Sequence, residues 1–151
     1  MILLAVYLLI TRQTYFMVTT SKTLTVKRST LPGAGKGLFT KTFIQKGDKI
    51  IEYKGKITNW KDADHMDGKN LYIFYVNRNH VIDAGNNKDI LARYANDARG
   101  LGKVKGINNN SAYISNNKRI FITATRDIAP GTEILVGYGK AYWEVIKKLG
   151  F

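Results

Sequence analysis

The chain has 151 residues, 44% of them hydrophobic, which suits one packed domain, is too short for two comfortable ones and is too apolar for a disordered segment. It contains no cysteine and only two histidines, His65 and His80, so disulfides, Cys-ligated zinc and a cysteine nucleophile are excluded and no His-x-x-x-His pair offers a metal site. The formal net charge is +13, a field that attracts nucleic acid, acidic protein surfaces or anionic lipid, although the cations are dispersed and a well-solvated lysine-rich surface explains them equally well.

Met1 to Ile10 are continuously apolar. That run is too short to cross a bilayer, which needs about twenty residues, and it lacks the basic start and small-residue cleavage site of a secretory signal. Patterning typical of a domain begins only after Met17. Residues 1–16 therefore read as a dispensable extension or short anchor, with a packed N-terminal strand as the alternative. From Leu24 the signals are those of strands: Leu24–Lys27, Gly37–Thr40 and Lys49–Tyr53 are short, apolar or β-branched, and bounded by turn residues. Asn59 is a candidate cap for one or two helical turns over Trp60–His65. Leu71–Val76 and His80–Asp83 read as a hairpin around Asn77-Arg78-Asn79, and Arg119–Ala124 as a further strand. The asparagine runs 86–87, 108–110 and 116–117 read as turns. Tyr142–Leu149 reads as a short helix ended by Gly150. Many short strands, few helices and no βαβ alternation give a mainly β fold.

Three islands carry chemistry. In Gly33-Ala34-Gly35-Lys36-Gly37 no helix follows, which argues against a dinucleotide fingerprint, and no Gly-Lys-Ser/Thr follows, which excludes a P-loop. What remains is a glycine turn that lets backbone approach a ligand, or an ordinary surface turn. Arg93-Tyr94-Ala95-Asn96-Asp97 offers an asparagine able to donate and accept through one short side chain, or simply a loop closing a short turn. Gly137-Tyr138-Gly139 follows Ile134-Leu135-Val136 and leaves a phenol open to close approach, or a core tyrosine at a strand end.

In order and spacing the three islands resemble the SET-domain protein-lysine methyltransferases, over about Leu24 to Trp143. Gly33–Gly37 with Leu38-Phe39 is similar to that family's first cofactor motif, Tyr53-Lys54-Gly55 to its Tyr-x-Gly, and Tyr72-Ile73-Phe74 to its Tyr-x-Phe strand. Val81–Ala84 is similar to the strand preceding its Arg-Phe-x-Asn-His segment, which Arg93, Tyr94 and Asn96 match. Glu133 to Gly139 is similar to its closing motif, and Tyr142-Trp143 to an aromatic pair just after it. Asp97 stands where the family has histidine, so one cofactor contact there is expected through backbone alone. Asn110 is the expected equivalent of the asparagine in the family's Cys-x-Pro-Asn, and Gly137 replaces an acidic residue.

The resemblance implies a mainly β fold of several short curved sheets, few short helices and a knot-like C-terminal threading. It implies an extension over residues 1–20, a SET domain over 21–141, and a segment 142–151 that completes the lysine channel. It implies S-adenosyl-L-methionine as cofactor, held by Lys36, Gly37, Leu38, Tyr72, Arg93, Asn96, Asp97 and Trp143, with Arg93 and Tyr94 bracing their loop. Tyr138 is the implied catalytic residue. Tyr75, Val136 and Tyr138 are the implied substrate contacts, and no metal is required. Val136, two residues before the tyrosine, offers no hydroxyl, so a pocket built on it leaves room for di- and trimethylation; strand alternation equally allows it to point into the core. The implied partner is a protein, a histone tail first, with nucleosomal DNA contact through the basic surface, no membrane association, an intracellular location and a monomer or homodimer. A catalytically inactive basic module that binds a polyanion is the alternative. A basic enzyme acting on a basic tail needs a local acidic groove, for which Asp62, Asp64 and Asp67, or Glu52, are the candidates.

Overall fold

The computed structural model describes residues 21–148 and 150, except 67–69, 86 and 101; the expected extension over residues 1–20 lies outside them. Eight strands form three small antiparallel sheets. Strands β1 (Leu24–Arg28) and β2 (Lys36–Thr40) make a two-stranded ribbon. Strands β3 (Lys49–Glu52), β8 (Arg119–Ala124) and β7 (Ser111–Asn116) pair in that order, as do β4 (Lys56–Thr58), β6 (His80–Asp83) and β5 (Ile73–Asn77). One helix, α1 (Lys140–Lys148), closes the described chain. The mainly β expectation holds.

Local chemistry explains the turns. Gly33 and Gly35 take φ of 76° and 69° between β1 and β2, a region open to glycine, and Ser29 N–H closes the loop on the Gly35 carbonyl. The β7–β8 hairpin turns through Asn117 and Lys118, both at positive φ, the backbone of a two-residue primed turn that matches strand twist. The β5–β6 hairpin is the one the sequence predicts, with Asn77 opposite His80. Asn59 caps a single turn, its carbonyl and side-chain oxygens accepting from Ala63 and Asp62 N–H. Strands β4 and β7 are not evident from sequence. The first is three residues long with two of them exposed. The second, SAYISN, has little strand propensity of its own and is fixed by six register pairs with β8.

The main core gathers Leu38, Ile44, Ile50, Ile122, Ile128, Ile134 and Val136 from all parts of the chain, each almost fully buried. The C-terminal segment 133–136 threads through it. Ile134 N–H donates to the Leu38 carbonyl at 2.7 Å and Val136 N–H to the Asn96 carbonyl at 2.8 Å, with parallel bridges from Leu135 to Asn96 and from Val136 to Ser111. Asn110 is buried and acts as a backbone surrogate: its Nδ2 donates to the Glu133 carbonyl and its Oδ1 accepts from Leu135 N–H. An amide side chain carries its donor and its acceptor on separate atoms, as a peptide group does, and so does both at once.

Glu133 is the second anchor. Its buried carboxylate accepts from Ser29 Oγ, from Thr30 N–H and Oγ1, and from Asn96 Nδ2. It thereby fastens the loop after β1 to the Asn96 segment. The carboxylate fits only because residue 37 is glycine, since a Cβ there would collide with Glu133 Oε1. Gly37→Ala is therefore expected to destabilise the fold by about 1–3 kcal/mol. In chemical denaturation, Gly37→Ala with Glu133→Ala should cost less than the sum of the single changes, whereas strict additivity would separate the two residues.

Candidate active site

The Arg93–Asp97 segment leaves a short 3-10 turn, Leu91–Tyr94, and runs extended beside the threaded C-terminal segment. At its end Asp97 is 5% exposed, and its carboxylate accepts four hydrogen bonds of 2.8 Å. Oδ2 takes Tyr138 N–H and the Trp143 indole N–H; Oδ1 takes Arg99 N–H and Asn109 Nδ2. Burial pushes this carboxyl up, but the donors from Trp143, Asn109, Tyr138 and Arg99 outweigh it and hold the group below its ordinary value.

The Tyr138 hydroxyl donates to the Ala95 carbonyl at 2.7 Å. The Tyr138 ring stacks on Trp143 with centroids 5.7 Å apart and planes 13° off parallel, and meets Tyr142 edge-on at 4.7 Å. On the same core, Tyr53, Phe74 and Tyr113 form a second group, with Phe74 and Tyr113 at 4.8 Å and Tyr53 and Tyr113 at 5.9 Å. Burial pushes the phenols of Tyr138, Tyr113 and Tyr53 well up, and that of Tyr142 to about 12. These hydroxyls are neutral at physiological pH, so they act as hydrogen-bonding groups and not as bases. Among the described residues the Tyr113 hydroxyl makes no hydrogen bond, whereas that of Tyr53 donates to the Tyr72 carbonyl.

The expected cofactor residues fall into two groups. Asn96 Nδ2 bridges the Lys36 carbonyl and Glu133, so Lys36, Gly37 and Asn96 are tied together at the ribbon. Arg93 sits over Tyr72, its guanidinium carbon 3.8 Å from the ring centroid, and its Nε and Nη1 are buried with no acceptor among the described residues. Trp143 joins through Asp97 and packs over Gly100. Leu38 and Asp97 both commit their side chains to the protein. Leu38 is 0% exposed in the core, on a strand buried on both faces from Gly37 to Thr40. The Asp97 side chain is filled by protein donors, which leaves its backbone alone for any ligand.

The expected substrate residues separate as well. Val136 is 0% exposed and packed in the core, the alternative that strand alternation allowed, so it lines no open pocket. Tyr75 is 55% exposed and meets Trp60 edge-on at 5.4 Å on the outer face of β5, while Phe74 faces the aromatic group. Glu52 is paired with Arg119 and Lys54 and offers no acidic groove. Asp67 lies outside the described residues. Asp62 and Asp64 are exposed and pair with no cation among the described residues. Sequence reasoning singled out Tyr142 but missed Tyr113 and Asn109. Tyr113 sits in a strand that gives no sequence signal, and Asn109 was hidden in a run read as a turn.

Open depressions of about 450 Å³ lie beside Gly55, Asp83 and Ile90, and of about 490 Å³ beside the loop after Arg28. Neither is at Tyr138, whose surroundings are filled with rings. No helix among the described residues is long and apolar enough to cross a membrane, and they hold no cluster of metal-ligating side chains.

The Asp97 contacts predict a pH signature. Asp97→Asn places an N–H₂ group among donors and should cost on the order of 2–3 kcal/mol. Because the folded pKa is depressed, the aspartate's contribution is fully present above the unfolded value and is lost as pH falls through the folded one. The stability gap between wild type and Asp97→Asn should be flat from about pH 5 to 8 and shrink below about pH 4; a gap independent of pH down to the acid transition would contradict this role.

The SET-domain family model matches residues 35–139. The N-lysine methyltransferase KMT5A-B of Xenopus laevis is 29% identical over 133 residues, which cover 82% of this chain and 38% of that protein. The histone-lysine N-methyltransferase set-1 of Caenorhabditis elegans is 29% identical over 126 residues, covering 76% of this chain and 50% of that one. The chain thus spans half or less of the length of these relatives. Among solved structures, the methyltransferase domain of human PR domain-containing protein 2 superposes with a TM-score of 0.58 at 24% identity, covering 80% of each chain, a likeness of fold. With most of its length inside the matched region and the ribbon, threaded segment and terminal tyrosine in place, this chain belongs to the SET-domain family.

Proposed function

We propose that this protein transfers methyl groups from S-adenosylmethionine to the ε-amine of a protein lysine. The observation that carries the reading is the Tyr138 hydroxyl held on the Ala95 carbonyl at 2.7 Å within a half-buried aromatic group, in a SET-family chain. The residues present fit the cofactor. Arg93 keeps two buried donors without an acceptor, and Lys36 is exposed at the mouth of the ribbon, a donor set suited to a carboxylate-bearing ligand. Aromatic faces at Tyr72, Tyr138 and Trp143 suit a sulfonium. Bound there, the cofactor would supply an electrophilic methyl group.

The chain's own part is positioning and desolvation. Tyr138 and the Ala95 carbonyl place oxygen lone pairs at one point, where they hold an amine and orient it for in-line displacement. The walls of Tyr53, Phe74 and Tyr113 exclude water from a lysine side chain and disfavour its ammonium form, leaving the lone pair the reaction needs. The amine held there would take the methyl that the bound cofactor supplies, and the resulting ammonium would give its proton to solvent. No phenolate takes part, because burial keeps the tyrosines protonated. A basic segment such as a histone tail suits the exposed Asp62 and Asp64 and the names of the relatives.

Tyr138→Phe keeps the ring and removes the oxygen. Turnover on a lysine peptide should fall by a factor on the order of a hundred or more, with the thermal transition nearly unchanged; wild-type turnover would take Tyr138 out of the site.

Product multiplicity rests on Tyr113 and not on Val136. Its hydroxyl has no partner among the described residues and can hold a water beside the amine, which stops a methylated lysine from re-entering. Intact-mass time courses should show that the wild type stops at one methyl and that Tyr113→Phe adds a second; an unchanged product distribution would remove Tyr113 from the pocket.

A further inference from the structure

The chain segregates its charge in sequence, and the fold then brings the segregated parts together. No Asp or Glu occurs before Asp48, and none between Asp97 and Asp127. The loop after β1 and the loop 98–107 belong to these two acid-free stretches, and they are packed on one another. Leu31, Ala98 and Leu135 form a small buried cluster of their own, joined by Ala34, Val104 and Ile107. A side chain on Gly102 would strike the Pro32 carbonyl. The two carboxylates nearest this unit, Asp97 and Glu133, are buried and consumed by hydrogen bonds. The charged side chains that the joined loops show to solvent are Arg28, Arg99, Lys103 and Lys105, all exposed. Among the described residues none of the four pairs with a carboxylate; the ion pairs there are Glu52 with Lys54 and Arg119, and Lys140 with Glu144.

Dispersed lysines on a solvated surface are ordinarily interleaved with acids, as Lys61 is with Asp62 and Asp64, or Lys88 with Asp89. Here four cations stand on a base fixed by its own apolar cluster, with an open depression of about 490 Å³ beside Arg28. Like charges held together without counter-charges repel one another, and an external row of anions relieves that repulsion. We infer that the joined 28–35 and 98–107 loops form a docking face for the phosphodiester backbone of duplex nucleic acid. The spaced, fixed cations match a regular anionic rod and read no base sequence. This face is separate from the methyl-transfer reading, and neither depends on the other.

The test is fluorescence anisotropy of a labelled twenty-base-pair duplex titrated with the full chain at several salt concentrations. The triple variant Arg99→Gln, Lys103→Gln, Lys105→Gln is compared with a control of equal charge loss, Lys61→Gln, Lys88→Gln, Lys147→Gln. All six side chains are exposed, and matching circular dichroism melts establish that both variants fold. The wild type should bind with affinity falling steeply in salt. The loop triple should reduce the slope of log K against log salt by roughly 2–3 and weaken binding at least about tenfold, while the control keeps the wild-type slope. Equal losses in the two triples would reduce the effect to net charge and overturn the face. Binding to phosphatidylserine vesicles with none to duplex would overturn the nucleic-acid partner.

Discussion

A single buried carboxylate organises the site. Asp97 gathers N–H groups from three separate stretches of chain: Arg99 beside it, Asn109 on the following loop, and Tyr138 with Trp143 at the C-terminal end. An ionised carboxylate has about four lone-pair positions, and here each is used. Charge-assisted bonds of this kind are stronger than neutral ones and fix geometry at both partners. The backbone of Tyr138 is therefore set by the same atoms that set the Trp143 indole, and Trp143 stacks on the Tyr138 ring. Helix α1 shows one buried residue, Ile146, so much of its hold on the domain passes through these aromatic and carboxylate contacts.

The remaining anchors work in the same way at other joints. Glu133 ties the glycine loop to Asn96, and Asn110 ties the threaded segment to its neighbours. Small sheets of two and three strands bury too little to hold loops by apolar packing alone. Buried polar groups with every valence satisfied supply the specificity that the sheets lack. The same logic explains Gly37, which is small because a carboxylate stands where its side chain would be. At the opposite extreme is Arg93, whose buried Nε and Nη1 have no acceptor among the described residues.

Legibility in the sequence followed local signal. Strands with β-branched runs and turns with Asn or Gly were readable, as were the β5–β6 hairpin, the capped turn after Asn59 and the terminal helix, which starts two residues earlier than expected, at Lys140. Strand β7 was not, because its residues have weak propensity and it exists through pairing with β8. The island order identified the family, but it did not reveal which way side chains point. Leu38 and Val136 turn into the core, and Phe74 and Tyr113 meet through a contact distant in sequence. Nor could spacing show that Asp97, unusual for its family position, spends its carboxylate entirely on the protein.

The central claim is methyl transfer to a lysine amine at Tyr138. It is tested most directly by intact-mass spectrometry of core histones incubated with the full chain and S-adenosylmethionine, with peptide mapping of the product. The account predicts a time-dependent gain of one methylene mass confined to lysine side chains. Histones that stay unmodified, when the same protein binds the cofactor by calorimetry and a panel of other lysine-bearing proteins also stays unmodified, would contradict it.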